Sequence, residues 1–311
     1  MSQPPVDTIL AALMQRMDEQ QWPTHTLYVV ATPIGNLADL SLRAWQALVR
    51  ADTIAAEDTR TAQPLLQAWG VGTPVWTLHR HNEAQASAAL IERLQQGQRV
   101  ALISDAGAPA ISDPGGRVVR EVRAAGLNVV AVPGPSAVIT ALMGSGVTSD
   151  AQPAFLFAGF SPHKQAARQK WLQQWQSLAV PVVFFESPHR LLDCAKDIEA
   201  VFGPERELTI CRELTKRFEQ VVSLPAAALA DWVAARPEHR RGEFVFIIHG
   251  AVASAQETAL DETTQRWMRS LLTQMSVRDV VRVAQQATDY RRQELYDFAL
   301  AQSQAQSKSQ S

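Results

Sequence analysis

The sequence predicts an α/β protein built on parallel sheet, and three observations carry that expectation. Short apolar runs recur along the chain, each followed by a helix-length segment, the alternation of βαβ units. Some of these runs, Val100-Ala101-Leu102-Ile103 above all, are apolar at every position, as a strand covered on both faces must be. Clusters of polar residues, Gly and Pro fall just after the runs, at the carboxyl ends of the expected strands, where open α/β sheets bind ligands.

Bulk properties set the bounds. The 311 residues suffice for about two domains, and 46% apolar against 19% charged residues can build substantial cores. The formal charge is −2, so a polyanionic partner must be met by a local basic patch rather than by the field of the whole chain. Cys194 and Cys211 form no disulfide framework and lack metal-ligand spacing, so no metal site is expected. No apolar run reaches the ~18 residues of a membrane span. Residues 1–24 mix Ile9, Leu10, Leu13 and Met14 with Asp7, Arg16, Asp18 and Glu19, unlike a signal peptide. A cytoplasmic protein without membrane contact is the expectation.

Residues 1–24 read as an N-terminal extension, a short amphipathic helix ending near Trp22-Pro23. A first strand at 27–31 runs into Thr32–Asp39 and a helix at 40–51; the turn has neither GxGxxG nor GxxxxGK[ST], so no dinucleotide or triphosphate is indicated. The second strand, 53–56, ends in Glu57-Asp58-Thr59-Arg60. The third, 75–78, ends at His79, His81, Asn82 and Glu83, with Asn82 and Gln85 a capping pair for the next helix. Two histidines without a third ligand make no zinc site. The strand 100–103 then opens the stretch VALISDAGAPAISDPGG, whose Gly107, Pro109, Pro114 and Gly115 forbid any regular continuation. Gly107 lets backbone approach a ligand, and Asp105 and Asp113 can accept hydrogen bonds from hydroxyls or an amine; the plainer alternative is that they cap backbone amides. A helix at 117–125 and a strand at 129–132 lead to Pro133-Gly134-Pro135-Ser136-Ala137, which opens a helix whose first amides favour electron-rich groups.

Residues 146–153, GVTSDAQP, are linker-like and divide a first α/β domain, 25–148, from a second, 149–252. The second block has a strand at 155–159, a helix at 164–176 carrying Lys164, Arg168 and Lys170, and a strand at 182–185. Glu186-Ser187-Pro188-His189-Arg190 follows, with Ser187 a good N-cap and Pro188 an ideal first helical residue. Next come a strand at 208–212, Glu213-Leu214-Thr215-Lys216, a returning strand at 220–223 and a helix at 225–235. Arg240-Arg241-Gly242-Glu243 precedes the last strand, 244–248. Residues 258–302 form a small helical module with Ser276 and Asp279 as a capping box; it reads equally as a nucleic-acid-binding helix–turn–helix or as a charge-balanced cap. The tail 303–311 is polar and expected to be disordered.

The ordered motifs TPIGNLADL, EDTR, HNE, SDAGAPAISDPG, PGPSA, FFESPHR, RELTK and RRGE resemble the ribosomal RNA small subunit methyltransferase I family. Its members are S-adenosylmethionine-dependent 2′-O-methyltransferases of the tetrapyrrole methylase class, acting on a cytidine ribose of 16S rRNA. The resemblance is strong over about residues 27–250 and weaker over the helical module. Ala108 stands where the family loop commonly carries a threonine, so that position has no hydroxyl, and the first two dozen residues are an extension.

The resemblance implies two α/β domains with S-adenosylmethionine in the cleft between them. The first would contribute Pro33, Ser104, Asp105, Ala106, Gly107, Asp113, Ser136 and Ala137, and the second Phe185, Leu214 and Gly242. It also implies 16S rRNA or the small ribosomal subunit as partner, and a homodimer. A sulfonium is already an activated methyl donor, so the protein mainly aligns the reactants and excludes water. A ribose hydroxyl is a poor nucleophile and calls for a base. Asp58, Glu213 and Glu243 are candidates, with Arg60, Arg190 and Lys216 as clamps; ordinary ion pairs Asp58–Arg60 and Glu213–Lys216 are the alternative. His189 at a helix start suits hydrogen bonding, and with Arg190, Arg240, Arg241 and Glu243 would meet substrate. The basic stretches 164–170 and 239–241 favour RNA. A methyltransferase of this fold acting on a tetrapyrrole or a protein, or a non-catalytic RNA-binding assembly factor, are the other readings.

Overall fold

The computed structural model describes residues 5–79, 83–251, 260–288 and 290–309. The expected Asn82 cap and His81 lie outside them. The chain forms two compact units, Met1–Ala251 and Val252–Ser311. No helix among the described residues is long and apolar enough to cross a membrane.

The first unit opens with α1 (Val6–Asp18), then β1 (Thr26–Val30), α2 (Leu42–Arg50), β2 (Thr53–Ala56), α3 (Thr59–Ala68) and β3 (Val75–Thr77). It continues through α4 (Glu83–Gln95), β4 (Arg99–Ile103), α5 (Gly116–Ala124), β5 (Asn128–Val132) and α6 (Ala137–Ser145). The five strands make a sheet of order β3-β2-β4-β1-β5, with every pairing parallel. β4 is its centre, as the unbroken apolar run requires. Ala101 and Ile103 face one core with residues of α2 and α3; Val100 and Leu102 face the opposite core with residues of α4 and α5. That is period-two alternation with both faces covered.

α1 ends at Asp18, earlier than expected, because Trp22 folds back: its Nε1 donates to Met17 O over 3.3 Å and its ring is buried beneath Arg50. Asp18 anchors the helix through Arg50 at 2.6 Å and Gln46 at 2.9 Å.

A second sheet follows from β6 (Leu156–Phe160), α7 (Gln165–Gln173), β7 (Val182–Glu186), α8 (Leu191–Phe202), β8 (Glu207–Arg212), β9 (Gln220–Pro225), α9 (Ala226–Ala235) and β10 (Phe244–Ile248). Its order is β6-β7-β10-β8-β9. β6 and β7 are parallel, β9 returns antiparallel to β8, and β10 runs antiparallel between β7 and β8. One face packs under α7, α8 and α9. The other meets α6: Val138, Ala141 and Leu142, with Ile34, pack on Val183, Cys211, Leu214, Val245 and Ile247. Each Val, Leu or Ile among them contributes about 1.5–3 kcal/mol on full burial, and this shared cluster joins the two sheets into one unit.

The basic stretches are less basic in space than in sequence. Arg168 is 2% exposed and pairs with Asp197 of α8 at 2.5 Å, because the α7–α8 seam leaves a guanidinium there no water to face. His239 stacks on Trp232 at 4.0 Å and is buried. Lys164, Lys170, Arg240 and Arg241 remain exposed.

The second unit comprises α10 (Glu262–Leu272), α11 (Val277–Ala287) and α12 (Arg292–Ser309) around Met268, Val280, Val281, Ala284, Leu295 and Ala299. Ser276 caps α11, its oxygen accepting from Asp279 N while its hydroxyl donates to the Asp279 carboxylate. Where composition predicts a disordered tail from Ser303, α12 continues to Ser309; its Gln, Ala and Lys residues have good helix propensity.

Candidate active site

The site begins with the loop after β4. Gly107, at φ +75°, exchanges two backbone hydrogen bonds with Thr32, at 2.9 and 3.0 Å, tying this loop to the turn after β1. Ser104 is buried, its Oγ donating to Ala106 O and its carbonyl accepting from Thr32 Oγ1. Farther on, Ala110 and Ser112 adopt φ +71° and +65°, left-handed conformations costing about 1–3 kcal/mol each without glycine. The amide of Gly115 is held by the Glu83 carboxylate at 3.0 Å.

The second sheet supplies the opposing wall. Because β10 is antiparallel, its first residue, Phe244, pairs with Glu186 at the end of β7 and Arg212 at the end of β8. These strand ends and the loops after β1, β4 and β5 enclose a cavity of about 470 Å³. Of the residues named from the sequence, Asp105, Ala106, Gly107, Asp113, Ser136, Ala137, Phe185, Leu214, Gly242 and Glu243 line it. Pro33 and Ser104 lie buried outside its lining. Ala137 and Val138 open α6 on the cavity wall, and the Ser136 side chain does not cap them, so first-turn amides face the space.

Asp58, Arg60, Glu213 and Lys216 do not line the cavity; the chain uses them to hold loops. Asp58 is the N-cap of α3, accepting from Arg60 N at 2.8 Å and pairing with the Arg60 guanidinium at 2.6 Å. Those bonds hold its carboxyl down at about 2. Its own amide donates to Asp105 Oδ1 at 3.1 Å. Burial pushes the Asp105 carboxyl above the ordinary carboxylate range, despite that bond. Glu213, at φ +52°, accepts from Lys216 Nζ at 2.8 Å and Glu243 N at 3.0 Å, while Lys216 also reaches Glu243 at 2.8 Å. Burial raises the Glu213 carboxyl, but the Lys216 ammonium and the Glu243 amide outweigh it and leave it lowered. Burial opposes the charge on Lys216, yet the two carboxylates prevail and raise it.

The tetrapyrrole (corrin/porphyrin) methylases match residues 26–230. The chain belongs to the tetrapyrrole methylase family. Within it, the methylase is 44% identical over 275 residues to the ribosomal RNA small subunit methyltransferase I of Pseudomonas aeruginosa, covering 88% of this chain and 96% of that one. It is 42% identical over 276 residues to the protein of the same name from Escherichia coli O157:H7, covering 89% and 95%. Residues 258–303 match the RsmI C-terminal HTH domain, which assigns the helical module to a helix–turn–helix family. Solved structures share the fold of the tetrapyrrole methylase region. A cobalt precorrin-4 methyltransferase of cobalamin biosynthesis has a TM-score of 0.54 at 16% identity, covering 72% of this chain and 94% of that one. Diphthine synthase has a TM-score of 0.54 at 15% identity, covering 72% and 90%.

Four of the substrate candidates of this methylase are exposed: His189 on the turn after β7, Arg240 and Arg241 just before Gly242, and Glu243 just after it. Arg190 is instead turned inward, pairing with Glu186 at 2.5 Å with its side chain 14% exposed. Ser187 makes no side-chain cap, and its amide donates to Glu186 at 2.7 Å; Pro188 begins a 3-10 turn rather than α8 itself. Sequence reasoning missed Glu186, whose buried carboxylate also accepts from Ser161 Oγ, although Arg190 four residues on was a usable signal. It also missed Phe160 and Ile111 at the rim.

The cavity lining therefore combines carboxylates, the start of a helix and the apolar side chains of Ile34, Phe185, Leu214 and Val245. Such a site holds a compact ligand bearing a carboxylate, an ammonium and hydroxyls.

Proposed function

We infer that this methylase transfers a methyl group from S-adenosylmethionine to the 2′-hydroxyl of a cytidine ribose in small-subunit (16S) ribosomal RNA, in the cytoplasm. The observation that carries the reading is the cavity itself, whose lining combines Asp105 and Asp113, the first residues of α6 and an apolar set of Ile34, Phe185, Leu214 and Val245. Asp113 and the α6 amides match polar groups of S-adenosylmethionine, which when bound supplies an activated methyl group on sulfur, and Asp105 is left for the substrate hydroxyl. The names of the relatives and the helix–turn–helix module support a ribosomal RNA substrate.

Asp105 is the group we assign to take the proton of the 2′-hydroxyl. It lines the cavity and its carboxyl is raised, so it is a stronger proton acceptor than Asp58. Arg60 and Asp58 fix the backbone that holds Asp105. The Glu213–Lys216–Glu243 set holds Leu214 and Gly242 on the wall, and exposed Arg240, Arg241 and His189 meet RNA phosphates. Alignment of hydroxyl, methyl and sulfur in a water-poor space supplies the rest. A homodimer belongs to this reading; Ile139 and Met143, one turn apart on α6 and 48% and 79% exposed, support it.

The test is a mass-spectrometric map of ribose methylation in small-subunit RNA from cells with and without the protein. One cytidine should lose its 2′-O-methyl group in its absence. An unchanged map overturns the reading.

A further inference from the structure

Among the described residues, the cavity wall has two exposed large apolar side chains: Ile111, 48% exposed, and Phe160, 59% exposed. They come from the two different sheets, Ile111 from the loop after β4 and Phe160 from the end of β6. A side chain at Gly159 would come within 3.5 Å of Ser112 Oγ, so the neighbours of these two residues already approach one another.

Both are presented by unusual backbone. Ile111 is flanked by Ala110 and Ser112, each in the left-handed region. Phe160 depends on an irregularity in β6: Phe157 pairs with Val183 but Phe160 pairs with Phe185, three residues against two. Phe157 packs on the cavity side of the sheet, whereas Ala158 packs on the helix side. Regular alternation would send Phe160 with Ala158. The extra residue, with Gly159 at φ +74°, turns it to the cavity side, as a bulge beside an active site does. Phe185 then fixes the ring in a T-shaped contact, centroids 5.1 Å apart. The ring is thus presented at the cavity by the irregular strand and by Phe185, and stays exposed there.

We propose that Phe160 and Ile111 are the two lips of a slot that grips the unstacked base of the nucleotide being methylated. The proposal rests on the ribosomal RNA reading above. An RNA helix already displays its 2′-hydroxyls in the shallow minor groove, but a nucleotide that leaves the stack can carry its ribose farther into a concave site, and the base it carries then lies at the rim. Extruded bases are held between aromatic and apolar side chains, which replace the lost stacking. The slot thus selects single-stranded or distorted RNA over an intact helix.

The test compares Phe160→Ala, Phe160→Tyr and Ile111→Ala in the full chain, using S-adenosylmethionine calorimetry and steady-state methylation of small-subunit RNA. Phe160→Ala should lower kcat/KM for RNA about 5- to 150-fold, the span of one base–aromatic stack, with cofactor affinity unchanged. Phe160→Tyr, which keeps the ring, should restore most of it, and Ile111→Ala should show a smaller loss. Wild-type kcat/KM in Phe160→Ala, or an equal loss in cofactor affinity, overturns the slot while the ribosomal RNA reading stands. A wild-type protein that methylates no small-subunit RNA overturns that reading, and the slot with it.

Discussion

The stem of Lys216 occupies the space that a side chain at Gly35 would need: a Cβ there would stand 2.5 Å from Lys216 Cγ and 2.6 Å from Cε. The turn after β1 and the loop after β8 are therefore keyed to each other, and each carries cavity-lining residues, Ile34 on one and Leu214 on the other. Gly35→Ala would force this stem aside at a position already at φ +149°. It should destabilise the protein by about 1–3 kcal/mol, read as a lower urea midpoint. An unchanged midpoint would show that Lys216 leaves its groove without cost.

The same clamp has a pH signature. The lowered Glu213 carboxyl contributes stability that is present above its ordinary value of 4.5 and lost as pH falls through its lowered value. The raised Lys216 ammonium contributes stability present below 10.5 and lost as pH rises through its raised value. The Tm gap between wild type and Lys216→Met should be flat through neutrality and narrow toward strong acid or strong alkali. Calorimetric scans across pH that show the gap widening in acid would contradict this.

Single-turnover methylation separates the carboxylates. Asp105→Asn preserves an acceptor for the Asp58 amide but removes the base, and should slow the chemical step by about 10²–10⁴-fold. Asp58→Asn replaces one good N-cap by another and should leave the rate within a few-fold of normal, as should Glu213→Gln. If Asp105→Asn reacts at the wild-type rate, alignment and water exclusion account for the catalysis.

In the second sheet's helical layer, Asp197→Ala should cost about 3–5 kcal/mol, because it strands Arg168 in a seam where it is 2% exposed. The double substitution Arg168→Met with Asp197→Leu should recover most of that loss. Denaturant titration of both variants distinguishes a pair that specifies the seam from one that packing alone can replace.

Local chemistry made much of the site legible. A short all-apolar run cut off by Gly and Pro is expected of a strand covered on both faces, so β4 and the loop behind it were legible in the sequence. What escaped was non-local. Nothing in Phe244–Ile248 says that it inserts between β7 and β8, since that pairing depends on two distant segments. Charge alone did not reveal that Arg168 and Arg190 face inward, because their carboxylates are supplied by Asp197 and Glu186 only once the fold forms. α3 was missed because Pro64 interrupts its sequence, while the Asp58 that begins it carries a carboxylate suited equally to capping and to catalysis.

The position of β10 also sets an order of assembly during synthesis. All strands of the first sheet have been made once Val132 emerges, but the second sheet keeps a strand-wide gap until residues 244–248 arrive. Until then β7 and β8 present bare edges, the kind of surface that recruits foreign strands or chaperones. Nascent chains halted before Phe244 should be protease-sensitive from β6 onward while the first sheet resists digestion. The newborn chain thus spends part of its synthesis with Gly242–Val245 missing from its cavity wall, a site that is complete only when its last strand slides home.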